Sequence, residues 1–184
     1  MDDAAPPSRT RRRNLLVALW TLCATVVVLD RVTKALALRH LSEGESVPVV
    51  GELLQLRLVF NPGAAFSIGT GLTWLLTIIA VVVVIAVVRV SRRLGSRGWA
   101  AALGLLLGGA IGNLIDRLTR PPGFARGHVV DFLALPNFPV FNVADSAITC
   151  AAVLIAVLGL RGIGVDGRRE GAQAEPDRQE APGA

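Results

Sequence analysis

The chain has few of the residues from which metal sites and disulfides are built. Its 184 residues include only two cysteines and two histidines. Cys23 and Cys150 each fall within an apolar run, so we expect two buried small side chains and no disulfide. His40 and His128 are far apart in sequence, whereas a zinc site normally shows a tighter cluster of His, Cys and carboxylate residues. We therefore expect no metal and no other cofactor.

Short motifs of common enzyme classes are also absent. The chain contains no Gly-x-Ser-x-Gly elbow and no glycine-rich loop of the kind that cradles phosphate. Charged residues make up 18% of the chain, and the arginines stand at the ends of apolar runs. No basic face is interleaved with aromatic residues, so we expect no nucleic-acid partner.

Apolar residues dominate the chain, at 52% of the composition. Four apolar runs, at about 14–38, 72–88, 99–115 and 143–160, each approach the length needed to cross a hydrocarbon core of about 30 Å. A cleaved secretion signal is the alternative for the first run, but no small-residue cleavage site follows it. The sequence predicts an all-α membrane protein with four transmembrane helices, in which 14–160 form the membrane domain, 1–13 a basic N-terminus and 161–184 a disordered tail.

The segment between the first two apolar runs has a different pattern. Residues 47–51 and 54–58 are typical of short strands, and the second alternates between apolar and polar positions. Asn61, Pro62 and Gly63 then form a turn signal. We expect a small amphipathic β-sheet that rests on the membrane surface.

Arginine positions predict the orientation of the four spans. The N-terminus, the connection between the second and third spans and the C-terminal tail are each rich in arginine, whereas the other two loops are longer and carry fewer near the spans. Positive residues favour the cytoplasmic side, so both termini are expected there. Loops 39–70 and 116–142 then face outward, together with Asp30, Asp131 and Asp145.

Asp131 and Asp145 flank a segment, 132–144, that is apolar apart from two prolines and two asparagines. Taken singly, Asp145 can be a first-turn helix carboxylate and Asp131 a loop residue. Two carboxylates beside a bilayer are costly, however, and the turn-forming Pro136 and Pro139 allow them to meet. Such a pair shares a proton near neutral pH, so that one carboxylate accepts a proton from water and the other donates to a peptide carbonyl.

The third span carries two lines of residues at four-residue spacing. Gly104 and Gly108 predict close packing against another helix. Gly109, Asn113 and Arg117 form a second stripe, which offers a bare backbone, an amide and a guanidinium to a substrate's backbone or a lipid ester and phosphate. The alternative for this stripe is a polar helix end whose side chains reach the surface.

In the first span, Asp30 and Lys34 are separated by one helical turn and can form an ion pair. The pair can serve the helix alone, by stabilising its end. In the functional alternative, Asp30 supports the loops that carry the two other aspartates.

Five motifs occur in one order along the chain: 30–34 (DRVTK), 61–66 (NPGAAF), 108–117 (GGAIGNLIDR), 130–132 (VDF) and 141–146 (FNVADS). Together they closely resemble the bacterial lipoprotein signal peptidase family, signal peptidase II. The resemblance covers roughly residues 14–160, and its third and fifth motifs are the most specific. Pro62 stands at a variable position of the family pattern.

The resemblance implies a four-helix aspartyl protease of the bacterial inner membrane. Such enzymes remove the signal peptide from prolipoproteins, cutting before a cysteine that carries diacylglyceryl, and the peptide antibiotic globomycin occupies their site. By motif match Asp131 and Asp145 are the catalytic pair. The residues that line or support the substrate site are Asn61, Gly63, Gly109, Asn113, Arg117 and Asn142, with Asp30, Lys34 and Asp116 as structural supports. The strand-like segment 45–60 matches the family's small extracytoplasmic sheet, which cradles the substrate.

Two other functions remain open from the residues alone. A proton-coupled transporter also places ionisable residues in its spans, although here they gather at one membrane face and no inverted repeat is apparent. A structural subunit could dock a partner through the glycine-rich third span.

Overall fold

The computed structural model of the chain describes residues 9–63 and 73–169. Its elements, in chain order, are α1 (Arg9–His40), β1 (Val47–Val50), β2 (Leu54–Asn61), α2 (Thr73–Ser91), α3 (Arg97–Thr119), β3 (Val129–Ala134) and α4 (Val143–Leu160). The start of the basic N-terminus (1–8), the residues just before the second span (64–72) and most of the predicted tail (170–184) lie outside the described residues.

All four helices are long and apolar enough to cross a membrane, which confirms the four predicted spans. Many of their large apolar side chains stay exposed, among them Val17, Val82 and Val153. Such a surface is costly in water and suits contact with lipid. We call the end of the bundle where α1 and α3 end and α2 and α4 begin the sheet end, and the opposite end the arginine end.

α3 is the central helix and is the most buried of the four spans. A Cβ on Gly104 would lie 2.9 Å from the Leu19 carbonyl oxygen, and one on Gly108 equally close to that of Cys23. The backbones of α1 and α3 therefore pack closely, as the glycine spacing predicts. Cys23 is buried in this interface, but Cys150 is exposed on α4, so the expectation of two buried cysteines is wrong for Cys150.

A three-stranded antiparallel sheet in the order β1-β2-β3 lies at the sheet end. The two strands predicted from residues 47–58 are confirmed as β1 and β2. β3 was not predicted, because its first four residues are all buried and show no alternation. The register places Val59 opposite Asp131 and Asn61 opposite Val129, which brings Asn61 beside the first aspartate.

At the arginine end, residues 161–169 follow α4 and pack on the start of α3. Trp99 donates from Nε1 to the Ile163 carbonyl at 2.7 Å, and the Gly95 N–H donates to the Val165 carbonyl at 2.9 Å. These nine residues belong to the segment for which we expected disorder, but they form a hydrogen-bonded turn.

Candidate active site

Asp131 lies in β3 and is 1% exposed. Its Oδ1 accepts a hydrogen bond from Asn142 Nδ2 at 2.6 Å, and its Oδ2 accepts one from Asn61 Nδ2 at 2.8 Å. The Asn61 amide has a fixed orientation, because its Oδ1 accepts from the Gly63 N–H at 2.7 Å. Both oxygens of this buried carboxyl are therefore held by oriented amide donors.

Asp145 lies in the first turn of α4, where Asn142 is the N-cap. The two residues form a capping box: the Asp145 N–H donates to Asn142 Oδ1 at 2.9 Å, and the Asn142 N–H donates to Asp145 Oδ2 at 3.1 Å. Asn113 Nδ2 donates to Asp145 Oδ1 at 2.8 Å. Two N–H donors thus hold the Asp145 carboxyl in place at the N-terminus of α4.

A single residue, Asn142, is hydrogen-bonded to both aspartates. Its side-chain Nδ2 bonds Asp131, while its backbone N–H and its Oδ1 bond Asp145. The fold therefore brings the two carboxyls to one site, although thirteen residues separate them in the chain.

A cavity of about 260 Å³ opens beside both carboxyls. Its polar wall consists of Asp131, Asp145, Asn61, Asn113 and Arg117. The remaining wall is apolar, and its residues are Leu76, Ile79, Ala80, Val83, Leu106, Ala110, Val129 and Ile148. The four from α2 recur at helical spacing and form one stripe, which makes the cavity an apolar slot with the two acids at its sheet end.

The Arg117 guanidinium borders this cavity and is almost fully buried. Its Nη1 lies 3.4 Å from the Pro62 carbonyl oxygen and 3.3 Å from that of Gly127. Within residues 9–63 and 73–169, no carboxylate forms a salt bridge with it. Backbone carbonyls therefore hold the cation in place and leave hydrogen-bonding capacity toward the cavity.

Gly63 forms the turn that leads from β2 toward α2. Its φ of +105° is in the region that favours glycine, and a Cβ there would overlap the Leu76 side chain. A glycine at this position lets the turn place Asn61 and Pro62 against the aspartate and the arginine.

Lys34 is fully buried behind the cavity, between α1 and α3. Its Nζ lies 2.8 Å from Asp30 Oδ2 and 2.9 Å from Asp116 Oδ2, and it donates to Asn113 Oδ1 at 3.0 Å. The predicted Asp30–Lys34 ion pair is confirmed. Two carboxylates and one amide oxygen therefore surround this buried ammonium, and the two negative charges offset part of the cost of burying it.

The two carboxylates around Lys34 also hold the elements that carry Asp131 and Asp145. Asp30 Oδ1 accepts from the Ala144 N–H at 3.1 Å, at the start of α4. Asp116 Oδ2 lies 3.4 Å from the Val130 N–H of β3, and Asp116 Oδ1 pairs with Arg31 and Arg120. Both contacts anchor the strand and the helix that carry the two aspartates.

Gly109 does not present an open backbone patch, and that part of our expectation is wrong. A Cβ there would lie 2.5 Å from the Ala144 carbonyl oxygen and 2.7 Å from the Ile148 side chain. Gly109 instead allows α3 to pack closely against α4, which brings Asn113 within reach of Asp145. Its stripe partners Asn113 and Arg117 do line the cavity.

Burial raises the pKa of Asp131 to about 6. Hydrogen bonds from Asn61 and Asn142 lower the pKa, and the charge of Asp145 raises it further. This carboxyl therefore holds a proton over a pH range in which an ordinary aspartate is ionised.

Among residues 9–63 and 73–169, no three His, Cys, Asp or Glu side chains are grouped as a metal site requires.

Sequence reasoning missed the apolar stripe of α2 (Leu76, Ile79, Ala80 and Val83) that lines the cavity. The stripe has helical spacing, but α2 is apolar all round, so no face stands out. Spacing also failed to single out Asn142, which entered through the resemblance.

Known proteins resemble this chain over most of its length. The model of the family described as signal peptidase (SPase) II matches residues 22–161. The lipoprotein signal peptidase of Rhodococcus jostii (strain RHA1) is 52% identical over 171 residues, which cover 93% of this chain and 85% of the relative. That of Mycobacterium avium (strain 104) is 49% identical, over 95% of this chain and 96% of the relative.

A solved bacterial membrane enzyme, determined by the in meso method at 1.9 Å resolution, superposes with a TM-score of 0.68. It is 33% identical, and the match covers 77% of this chain and 91% of that one. These matches and the four membrane-competent helices describe a multi-pass membrane protein. The chain belongs to the signal peptidase II family of aspartic peptidases.

Proposed function

We propose that the chain removes the signal peptide from prolipoproteins at the membrane surface, with Asp131 and Asp145 as its catalytic pair. The observation that carries this proposal is the cavity that both carboxyls line at the sheet end of the bundle. Its polar end can hold a peptide bond, and its apolar stripe can hold the adjoining segment of a signal helix. The family membership of the chain agrees with this activity.

The two aspartates have different roles because their surroundings differ. Asp145 is half-buried, accepts two N–H donors and lies at a helix N-terminus, and we assign it the role of the base. Asp131 is buried and is the protonated member. Two carboxyls in such different surroundings can supply the base and the acid of a hydrolysis.

In the reaction, Asp145 takes a proton from a water molecule, whose oxygen attacks the peptide carbonyl carbon. Asp131 donates its proton to the carbonyl oxygen, which gives a neutral tetrahedral diol. The C–N bond then breaks as the proton held by Asp145 passes to the leaving nitrogen. Asp131 takes its proton back from the diol hydroxyl as the carboxyl product forms, and the enzyme is regenerated.

Lys34 supports this arrangement through Asn113. An ammonium has donors and no acceptor, so the atom of Asn113 that faces Lys34 is the amide oxygen. The amide NH₂ must then point the other way, where it bonds Asp145 Oδ1. Lys34 is thus a positioning residue that acts on Asp145 without touching substrate.

Recognition of a diacylglyceryl-modified cysteine is the finer part of the proposal. The α2 stripe, from Leu76 to Val83, offers apolar contact for acyl chains or for the signal helix. The Arg117 guanidinium can donate to a substrate carbonyl or to a glyceryl ester. A globomycin-type cyclic peptide would compete for the same cavity.

The proposed location is the bacterial cytoplasmic membrane, with both termini in the cytoplasm and the active site on the outer face. Support comes from the arginines at the start of α1, in the connection between α2 and α3 and after α4, which all lie at the arginine end. A C-terminal green fluorescent protein fusion should fluoresce, and a C-terminal alkaline phosphatase fusion should be inactive. The reverse result would invert the assigned topology.

Purified full-length protein, supplied with a diacylglyceryl-modified prolipoprotein in nanodiscs, provides the direct test. Asp131→Asn and Asp145→Asn should each abolish release of the signal peptide, whereas Asp166→Asn, the same change at the arginine end, should leave cleavage intact. A prolipoprotein without the lipid should be cut far more slowly. Near-normal cleavage by either aspartate variant would refute the catalytic pair. Equal cleavage of a prolipoprotein without the lipid would refute only the recognition of the lipid and would leave the catalytic pair standing.

A further inference from the structure

A second cavity, of about 460 Å³, lies at the arginine end, far from the two aspartates. Its lining residues are Arg9, Arg12, Arg13, Leu16, Arg92, Arg93 and Leu94, and we call it the arginine pocket. Three arginines come from the first turns of α1 and two from the turn that follows α2. Arg12 Nη2 donates to the Arg92 carbonyl at 2.6 Å, which holds the two sides together.

The positive charge of the arginine pocket is not neutralised by the described part of the chain. None of its five arginines forms a salt bridge with a carboxylate in residues 9–63 or 73–169. Arg31 and Arg120, at the sheet end, are by contrast both paired with Asp116. Five like charges around one cavity repel each other, and a bound anion would relieve that repulsion.

The carboxylate that borders this region is engaged elsewhere. Asp166 lines a neighbouring cavity together with Arg89 and Arg93. Its Oδ1 accepts from the Arg168 N–H at 3.0 Å, and its Oδ2 lies 3.9 Å from Arg168 Nε. Asp166 does not line the arginine pocket, and among the described residues its one salt bridge is with Arg168.

The apolar surroundings of the pocket indicate what kind of anion fits. Leu94, in its lining, is fully buried, and Leu16 is half-buried. Below the arginines, Val17 and Trp20 of α1 and Val90 of α2 expose apolar surface on the outside of the bundle. A ligand with a phosphate at one end and hydrocarbon at the other would match both parts.

We propose that the arginine pocket binds the phosphate of an anionic membrane phospholipid, such as phosphatidylglycerol, in the leaflet opposite the two aspartates. Guanidinium groups bind phosphate through paired, charge-assisted hydrogen bonds. The volume lies within the range of about 300–1,000 Å³ that is usual for ligand sites. Basic pockets between membrane helices are suited to such headgroups. The lipid joins the start of α1 to the turn after α2.

Native mass spectrometry of the full-length protein, delipidated in a neutral detergent, tests the proposal. Phosphatidylglycerol should bind at one saturable site, about tenfold or more tighter than phosphatidylcholine, and added salt should weaken it. Replacing Arg13→Gln and Arg93→Gln together should lower its affinity about tenfold or more, because two charge-assisted contacts are lost. Neither side chain has a hydrogen bond or ion pair in the described part of the chain that this change would break.

The matched control is Arg57→Gln with Arg126→Gln, which changes the charge equally among exposed residues at the sheet end. It should bind phosphatidylglycerol as the unchanged protein does. Equal loss in the control would mean a general charge effect, and unchanged binding by the pocket variant would exclude the site; either result overturns the proposal.

Inorganic phosphate separates a lipid from a free anion as the ligand. Displacement of the lipid by phosphate at similar concentration would overturn the assignment to a phospholipid, as would equal affinity for phosphatidylcholine. Circular dichroism melting confirms that each variant is folded. If the Arg13/Arg93 variant does not fold, Arg9→Gln with Arg13→Gln gives the same test, since both arginines stand in the first turns of α1.

Discussion

Lys34 donates a hydrogen bond of 3.0 Å from Nζ to Oδ1 of Asn113, across the interface of α1 and α3. The contact fixes the direction of the Asn113 amide and, through it, a donor to Asp145. Lys34 and Asn113 are 79 residues apart in sequence. The buried ion cluster between α1 and α3 is therefore connected to the proposed catalytic carboxylate by a single amide.

The first prediction concerns the loss of this ammonium. Lys34→Met keeps the length of the side chain but leaves Asp30 and Asp116 buried without their shared cation. Removal of one partner of a buried ion pair costs about 3–5 kcal/mol, so unfolding should be easier by this amount. Denaturant titration in detergent measures it. The control is Arg31→Gln, which removes a part-exposed partner of Asp116 and should lower the free energy of unfolding by less than about 1 kcal/mol. Equal losses of stability in the two variants would contradict the central role of Lys34.

The second prediction concerns the pH dependence of cleavage. If Asp131 is the acid, kcat/KM falls as the pH rises through its pKa of about 6. Asn61→Ala removes a donor that stabilises the ionised form of Asp131, so the pKa rises and the alkaline limb should move to higher pH. Measured pH profiles of kcat/KM for both proteins check this. A limb that stays in place or moves to lower pH would assign the acid role elsewhere.

The third prediction concerns the cost of ionising Asp131. Its pKa is about 6 in the folded chain and ordinary in the unfolded chain, so between these values the folded state binds more protons. Stability therefore falls as the pH rises from about 4 to 6 and stays lower above that. Asp131→Asn removes this dependence, so its stability relative to the unchanged protein should rise by up to about 3 kcal/mol across that interval. Unfolding curves at several pH values measure the difference, and a flat difference would show that burial does not hold the proton on Asp131.

The fold could be predicted from the sequence where one local pattern determines one element. Long apolar runs predicted the four helices, and short strand-like segments predicted β1 and β2, of which only β2 alternates between apolar and polar positions. β3 has no such signal, because Val129 to Phe132 are buried on both faces and resemble any short apolar run. Its place in the sheet depends on pairing with β2, which is a tertiary contact.

In the candidate site too, contacts within one helix could be predicted from the sequence and contacts between elements could not. The Asp30–Lys34 ion pair follows from helical spacing and is confirmed. The further contacts of Lys34, to Asp116 and Asn113, depend on how α1 crosses α3 and have no signature in spacing. The catalytic pairing of Asp131 with Asp145 stays a prediction, and the motifs at 130–132 and 141–146 rather than any periodicity made it specific.

The fourth prediction concerns Arg117. Its guanidinium borders the cavity without a carboxylate partner in the described residues, so its free donors can bind substrate. Arg117→Ala should raise KM about tenfold or more, with a smaller effect on kcat, because it removes ground-state contacts. Arg117→Lys keeps the charge without the forked donors and should restore binding in part. Steady-state kinetics separate the two constants, and a large loss of kcat at unchanged KM would contradict a binding role.

The fifth prediction concerns the close approach of α3 and α4. Gly109→Ala places a Cβ 2.5 Å from the Ala144 carbonyl oxygen, a backbone atom that can move only with its helix. The helices must separate, which should destabilise the protein by about 1–3 kcal/mol and weaken the contact of Asn113 with Asp145. Gly159→Ala is the matched control, since among the described residues nothing beyond its own turn of helix comes within 4 Å of an added Cβ, and alanine favours the helix by about 0.5–1 kcal/mol. Thermal unfolding and cleavage assays on both variants should diverge, with loss at position 109 and none at 159. Similar behaviour of the two would mean that α4 is free to shift, and that the position of Asp145 does not depend on this contact.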